Sequence, residues 1–141
     1  FKPDSFSKNK VILSTSWFTL TIDQAITFVL NCASIMIGGE IFIPKLPSYN
    51  IVQLAKCIDS EAEIKLIGIR PGEKLHEDMI SSNESHRTLL QENYMVILPE
   101  ININKNYEEK YGSNYRLCEK GYSSGTNELI SNEDLINMIE I

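Results

Sequence analysis

The sequence has no long apolar run, no excess of basic charge and no paired or clustered cysteines, and each absence removes a class of function. Its most apolar stretch, Ala25 to Ile43, is broken by Asn31, Ser34, Gly38, Gly39 and Glu40. That falls short of the roughly 20 apolar residues a spanning helix needs, so a soluble chain with no membrane partner is expected. The formal net charge is −6, with both signs mixed along the chain. Nucleic-acid binding needs a basic face, so no nucleic-acid partner is expected and any anionic ligand must be held by a local cluster. The three cysteines, Cys32, Cys57 and Cys118, are odd in number and follow no metal-ligand spacing. Reduced, buried thiols are the expectation, with no metal site. The chain also lacks an initial methionine, and Phe1 to Lys10 carries little apolar periodicity, so it reads as a piece of something longer.

What is present suits one modest packed domain. The 141 residues are 43% hydrophobic and 23% charged, well away from the composition of disordered chains. Thr21 followed by Gln24 has the spacing of a capping box, and Ile22, Ala25, Ile26, Val29, Leu30 and Ala33 recur at three and four residues. The spacing predicts a helix from Thr21 to about Met36, ended by Gly38-Gly39. Glu40 to Ile43 reads as a strand closed by Pro44, and Ile51, Leu54, Ala55 and Ile58 as a second helix. Glu63 to Ile69 is a further strand stopping at Arg70-Pro71-Gly72, after which Leu75, Met79 and Ile80 suggest a short third helix. Tyr94 to Leu98 is a strand halted by Pro99, Asn102 to Asn114 reads as an exposed loop, and a last helix begins near Ser131 and buries Leu135, Ile136 and Ile139. Strands alternating with helices argue for an α/β layer arrangement.

The segment richest in chemistry is Gly68-Ile69-Arg70-Pro71-Gly72-Glu73-Lys74-Leu75-His76-Glu77. An apolar strand ends at Arg70, Pro71-Gly72 forces a turn, and Glu73 falls in the first turn of the expected helix. Arg70 and Glu73 then project from a strand end, where α/β proteins commonly place ligand groups. The arginine fork suits a diphosphate, and a carboxylate can accept hydrogen bonds from two vicinal hydroxyls. The alternative is a plain Pro-Gly turn with Glu73 complementing the helix dipole. His76 beside Glu77 on a short helix is surface structure rather than a metal site, and His86 is a loop histidine. Trp17 and Phe18 read as core or domain-interface aromatics, and Tyr122-Ser123-Ser124 with Asn127 as a capped turn.

Gly39-Glu40-Ile41-Phe42-Ile43-Pro44-Lys45-Leu46-Pro47-Ser48, then Ile51, Leu54-Ala55-Lys56, then Ile67 through Glu77, resemble the C-terminal region of the inverting UDP-N-acetylglucosamine 4,6-dehydratases, which are extended short-chain dehydrogenases/reductases. The resemblance runs from Trp17-Phe18-Thr19-Leu20 through Glu84-Ser85-His86 to Tyr122-Ser123-Ser124 and Asn127. It implies a divergent segment over 1–16 and a nucleotide-sugar binding domain over 17–141. The implied fold is α/β, the small substrate-binding C-terminal domain of an extended Rossmann-type enzyme, with short strands, about four helices and no cofactor-binding Rossmann core. The resemblance also implies substrate binding by Arg70 at phosphate and Glu73 at ribose. Lys45 lies in a loop that the family brings towards the nucleotide, and a solvated surface charge is the alternative.

An intact enzyme of this kind is implied to be cytoplasmic and to form homo-oligomers. It would oxidise C4 of the UDP-sugar by hydride transfer to NADP, eliminate water across C5 and C6, and return the hydride to C6 with inversion at C5. The 4-keto-6-deoxy product would feed surface or flagellar glycans. The chain departs from the family pattern in lacking a Tyr-x-x-x-Lys pair and a three-glycine dinucleotide fingerprint, since Gly38-Gly39 is too short and Tyr107 and Lys110 have the wrong spacing. Ser14-Thr15-Ser16 also stands where the family carries Thr-Arg-Phe. No catalytic residue and no NADP binding are therefore expected of this chain alone, whose partner would be an N-terminal Rossmann portion. Without that cover, Trp17, Phe18 and the first helix are expected to expose apolar surface. A non-catalytic UDP-sugar-binding or interaction module remains open, as does a nucleotide-sugar 4-epimerase. A membrane-associated polysaccharide-synthesis dehydratase shares the Arg-Pro-Gly-Glu-Lys-Leu segment too, but His76 and the Pro44–Ser48 loop favour the soluble inverting group.

Overall fold

A computed structural model of the chain describes residues 10–12, 15–66, 68–69, 71–101, 107–111, 116–118 and 120–139. In chain order the elements begin with β1 (Lys10–Ile12), β2 (Ser16–Phe18), α1 (Ile22–Ile35), β3 (Ile41–Pro44), β4 (Ser48–Asn50), α2 (Ile51–Ile58) and β5 (Ile64–Leu66). There follow β6 (Asp78–Ile80), a 3-10 turn (Ser85–Arg87), β7 (Thr88–Leu90), β8 (Tyr94–Ile97), α3 (Tyr107–Tyr111), β9 (Arg116–Leu117), β10 (Tyr122–Ser123) and α4 (Asn132–Ile139). The α/β class, the short strands and the expected number of helices are all present. The elements fall into two compact units, one drawn from Phe1–Thr19, Pro47–Glu77 and Ser124–Ile141, the other from Leu20–Leu46 and Asp78–Ser123. We refer to them as the first and second units.

The second unit is built on a four-stranded antiparallel sheet in the order β3-β8-β7-β9. Alternation along the central β8 puts Val96 on one face, packed with Leu89, Tyr107 and Tyr111, and Met95 and Ile97 on the other, packed with Ile80. Each such side chain stabilises by roughly 1.5–3 kcal/mol when fully withdrawn from water. α1 starts as its sequence dictates: Thr21 Oγ1 accepts from Gln24 N at 3.2 Å and Gln24 Oε1 from Thr21 N at 3.0 Å. It ends before Gly38 and Gly39, whose φ angles of 104° and 95° a side chain rarely adopts. Yet α1 buries none of its residues: Ile22, Ile26, Val29 and Leu30 are 73%, 51%, 63% and 65% exposed, so the apolar stripe faces solvent. Exposure of the first helix is thus as expected, and Trp17 is exposed too, whereas Phe18 is half-buried.

In the first unit β2 pairs antiparallel with β4, Trp17 opposite Tyr49, and β1 pairs parallel with β5. Asn50 caps α2 by accepting from Val52 N at 2.8 Å. Gln53 Nε2 then ties α2 to the start of α4, donating to Ile130 O at 2.8 Å and Asn132 Oδ1 at 2.9 Å. α4 is capped by Ser131, whose Oγ accepts from Asp134 N at 3.0 Å.

Several expectations are corrected. The short helix at Leu75 to Ile80 is extended chain ending in β6, because Ile80 enters the core and the segment pairs with neighbouring strands. Neither Glu73 nor His76 is therefore helical. Three apolar residues at i, i+4 and i+5 were too few to set a period. Part of Asn102 to Asn114 lies outside the described residues, but Tyr107 to Tyr111 is a helix rather than an exposed loop. Tyr107 and Tyr111, four apart on one face, are both buried with their hydroxyls on Gly38 O at 3.0 Å and Glu40 Oε1 at 2.8 Å. Lys110 remains exposed. Of the last helix's expected core only Leu135 is buried, Ile136 being 44% exposed. The three cysteines are free but half-buried rather than buried. His86 lies in the 3-10 turn rather than a loop.

Candidate functional site

The site grows from the turn at Pro71-Gly72. Gly72 has φ of 86°, the value required at the third position of a type II turn with proline before it. The chain then runs beside β2: Ser16 N donates to Leu75 O at 3.1 Å, and Ser16 forms a parallel bridge with His76. Period-two alternation along β2 turns Ser16 inward, where it is 6% exposed, and leaves Trp17 44% exposed.

Ser16 is the centre of a polar knot. Its Oγ lies 2.7 Å from His76 Nδ1 and 3.0 Å from Ser124 Oγ, while Ser124 Oγ donates to Ser16 O at 2.7 Å. Glu77 N donates to Ser124 Oγ at 2.9 Å, and Ser124 N to Glu77 O at 2.8 Å. Ser124 has one hydroxyl hydrogen and spends it on Ser16 O. The Ser16 hydroxyl must then donate to Ser124 Oγ, and His76 must donate from Nδ1 to Ser16. The count of hydrogens thus assigns the proton on Nδ1, and every contact is satisfied. His76 packs so closely on Gly125 that a Cβ there would lie 2.5 Å from the imidazole Cγ. Any side chain at Gly125 would displace the imidazole from the knot.

Beside this knot lies a pocket of about 400 Å³ lined by Thr15, Trp17, Gly72, Glu73, Lys74 and Glu77. Trp17 Nε1 donates to Thr15 Oγ1 at 3.0 Å, which fixes the indole by its polar edge. The lining offers an aromatic surface, two carboxylates as acceptors and one ammonium as donor, the mixture of apolar wall and few polar groups that suits a small polar ligand.

Of the sequence-derived candidates, Glu73 lines this pocket, and Arg70 lies outside the described residues. Lys45 belongs to the second unit, where its Nζ donates to Gln91 O and to Glu92 O at 3.0 Å, clasping the turn between β7 and β8. Sequence reasoning missed Thr15, Trp17, Lys74 and Glu77 as pocket residues and Ser16 and Ser124 as their support. The available signals were the small residues Ser124-Gly125 and the polar-aromatic alternation of Ser16-Trp17.

The Gly38-Gly39 turn does not fit a dinucleotide. It follows the C-terminal end of α1, where the helix dipole repels phosphate, and a Cβ at Gly39 would meet Tyr107 Oη at 3.4 Å and Pro99 Cγ at 3.5 Å. Side chains of the same unit already pack that turn. Among the described residues no group of three or more His, Cys, Asp or Glu is arranged to hold a metal ion, and no helix is long and apolar enough to cross a membrane.

The family model described as polysaccharide biosynthesis protein matches residues 13–99. The chain is 42% identical over 131 residues to UDP-N-acetylglucosamine 4,6-dehydratase (inverting) of Campylobacter jejuni subsp. jejuni serotype O:23/36 (strain 81-176), covering 86% of this chain and 39% of that protein. It is 36% identical over 75 residues to UDP-glucose 4-epimerase of Rickettsia massiliae (strain Mtu5), covering 50% of this chain and 22% of the relative. Among solved structures it is similar to Pen from Bacillus thuringiensis, with a TM-score of 0.72 and 25% identity, over 94% of this chain and 40% of that one. The resemblance to the inverting dehydratases is therefore matched by relatives of that name, and the chain spans about two fifths of their length.

Proposed function

The chain belongs to the polysaccharide biosynthesis protein family, and we propose that it is the nucleotide-sugar binding part of an inverting UDP-N-acetylglucosamine 4,6-dehydratase. The observation that carries this reading is the pocket against Pro71-Gly72, in which Glu73, Lys74 and Glu77, on the segment that resembles the family's nucleotide-contacting motif, stand with Trp17 of β2. Glu73 accepts from the ribose hydroxyls, and Arg70 and Lys74 neutralise the diphosphate. Lys45, with two donors committed to carbonyls, positions its own turn.

In the intact enzyme the UDP-sugar would be oxidised at C4, dehydrated across C5 and C6 and reduced at C6. NADP and the proton-transfer groups would be supplied by a Rossmann portion of the same enzyme. The exposed stripe of α1 supports this, since Ile22, Ile26, Val29 and Leu30 offer apolar surface for such a portion to cover. A cytoplasmic homo-oligomer feeding surface or flagellar glycans follows from the same reading. The 141-residue chain alone would bind without turning over.

Calorimetric titration with UDP and UDP-N-acetylglucosamine tests the proposal. Saturable binding is expected, and Arg70→Ala or Glu73→Ala should weaken it about tenfold or more, as loss of a charged hydrogen bond does. A folded chain that binds neither ligand would overturn the reading. Product analysis of the intact enzyme separates a dehydratase from a 4-epimerase, because only the former yields a 4-keto-6-deoxy sugar.

A further inference from the structure

We propose that Trp17 is the stacking platform for the nucleobase, so that the pocket of the first unit takes the nucleoside end of its ligand and not the hexose. This rests on the nucleotide-sugar reading above, which puts Glu73 at the ribose, and adds to it the residue that receives the base. Trp17 is held on three sides. Its backbone is paired with Tyr49 across β2 and β4, its neighbour Ser16 is locked in the polar knot, and its Nε1–H is spent on Thr15 Oγ1 at 3.0 Å. With that polar edge satisfied inside the protein, the indole offers the pocket carbon surface, already ordered, at 44% exposure.

The exposed indole, with the polar lining around it, favours a base over a sugar. Glu73 and Glu77 are acceptors, Thr15 Oγ1 already accepts from the indole, and Lys74 brings the side-chain ammonium. A pyranose bearing an N-acetyl group needs donors for its carbonyl and ring oxygens as well as acceptors for its hydroxyls. A pyrimidine nucleoside also has two ring carbonyls that need donors, but its flat face matches the indole by stacking, and its ring N–H and vicinal hydroxyls match the two carboxylates. Lys74 then lies on the phosphate side. Base stacking on an aromatic ring is worth ~1–3 kcal/mol, or roughly 5- to 150-fold in affinity.

Trp17 is the only tryptophan of the chain, so its fluorescence reports on this pocket alone. Uridine, UMP and UDP should quench it saturably, at the half-saturation that calorimetry gives, whereas ribose 5-phosphate and N-acetylglucosamine 1-phosphate should leave it unchanged. Trp17→Ala should weaken UDP roughly 5- to 150-fold and Trp17→Phe much less. If Trp17→Ala fails to fold, the fluorescence arms on the unaltered chain still decide. UDP binding with unchanged fluorescence would overturn the platform and leave the nucleotide-sugar reading intact. So would a response to N-acetylglucosamine 1-phosphate with none to uridine, which would seat the hexose on the indole instead. A folded chain that binds no nucleotide overturns both.

Discussion

In the unit built on the four-stranded sheet, the side chains most withdrawn from solvent are Ile80, Leu89, Met95, Val96 and Ile97, with Thr88 the polar exception. In the unit that carries the pocket they are Ser48, Ser124, Ser16 and Thr15, joined by Ala55, Ala62 and Leu135. The first set is held by packing, which is non-directional and tolerates small shifts. The second is held by hydrogen bonds with fixed partners and angles: Ser124 to Ser16, Glu77 to Ser124, and Asn127 Nδ2 to Ser48 Oγ at 3.0 Å. Ser16 and Ser124 stand 108 residues apart, so the knot fixes distant segments at the place where ligand groups must be held to a fraction of an ångström. Apolar packing makes a stable body; the polar knot makes a defined site.

Substitutions that remove one kind of support should separate these roles. The largest effect is expected from Leu89→Ala, which empties part of a side chain that is 1% exposed in the second unit. It should lower stability by about 2–5 kcal/mol, read from the urea midpoint, while the fraction that stays folded binds UDP with unchanged affinity. A Leu89→Ala chain that is as stable as the parent would break the contrast at its stronger end.

Ser124→Ala should cost less, about 1–3 kcal/mol, because Glu77 N loses its acceptor and the Ser16 carbonyl and hydroxyl each lose a partner. Its mark should be on function: Glu77 lines the pocket, so affinity for UDP should fall by more than stability predicts. Equal losses in Ser124→Ala and Leu89→Ala, in both stability and affinity, would mean that the two kinds of support do the same work.

What the sequence made legible follows the same division. α1, α2 and β8 could be read because their signals are local: Thr21 with Gln24 opens α1, and Ile51, Leu54, Ala55 and Ile58 mark α2. β2, β4 and β6 are three-residue strands whose pairing is decided by residues far along the chain, and no window holds both partners. The same limit hid the site. Glu73 was visible from the Pro-Gly turn beside it, but Trp17 reaches that pocket only after folding, and Ser124 read as a local turn because its acceptor, Ser16 O, lies at the other end of the sequence. Tyr107 and Tyr111 were lost for another reason, a polar neighbourhood that masked a four-residue spacing.

The smallest expected effect sharpens the comparison from inside the second unit, where polar contacts also border the apolar core, among them Thr88 Oγ1 on Glu84 O at 2.8 Å, Tyr107 Oη on Gly38 O at 3.0 Å and Tyr111 on Glu40. Tyr111 donates to Glu40 Oε1 at 2.8 Å, as does Ile37 N at 2.6 Å, and Glu40 Oε2 is buried with no partner among the described residues. Burial pushes the Glu40 carboxyl up, but the hydrogen bonds from the Ile37 backbone and the Tyr111 hydroxyl outweigh it and hold it below the ordinary 4.5. For Tyr111 burial and the hydrogen bond to Glu40 act together, raising the phenol well above its usual 10.0. A depressed carboxyl stabilises the fold above its unfolded value and loses that contribution as pH falls through the folded one. A raised phenol stabilises below 10.0 and loses its contribution as pH rises through its folded value. The contact should therefore support this unit between those limits, by about 0.5–1.5 kcal/mol for the hydroxyl bond. Glu40→Gln should flatten the fall in urea midpoint below pH 4.5, and Tyr111→Phe should leave part of that fall in place, because the Ile37 bond survives. Neither should alter UDP affinity at neutral pH, since Glu40 and Tyr111 both belong to the unit that lacks the pocket. An acid limb identical in Glu40→Gln and the parent chain would remove this polar contact from the account of the second unit's stability.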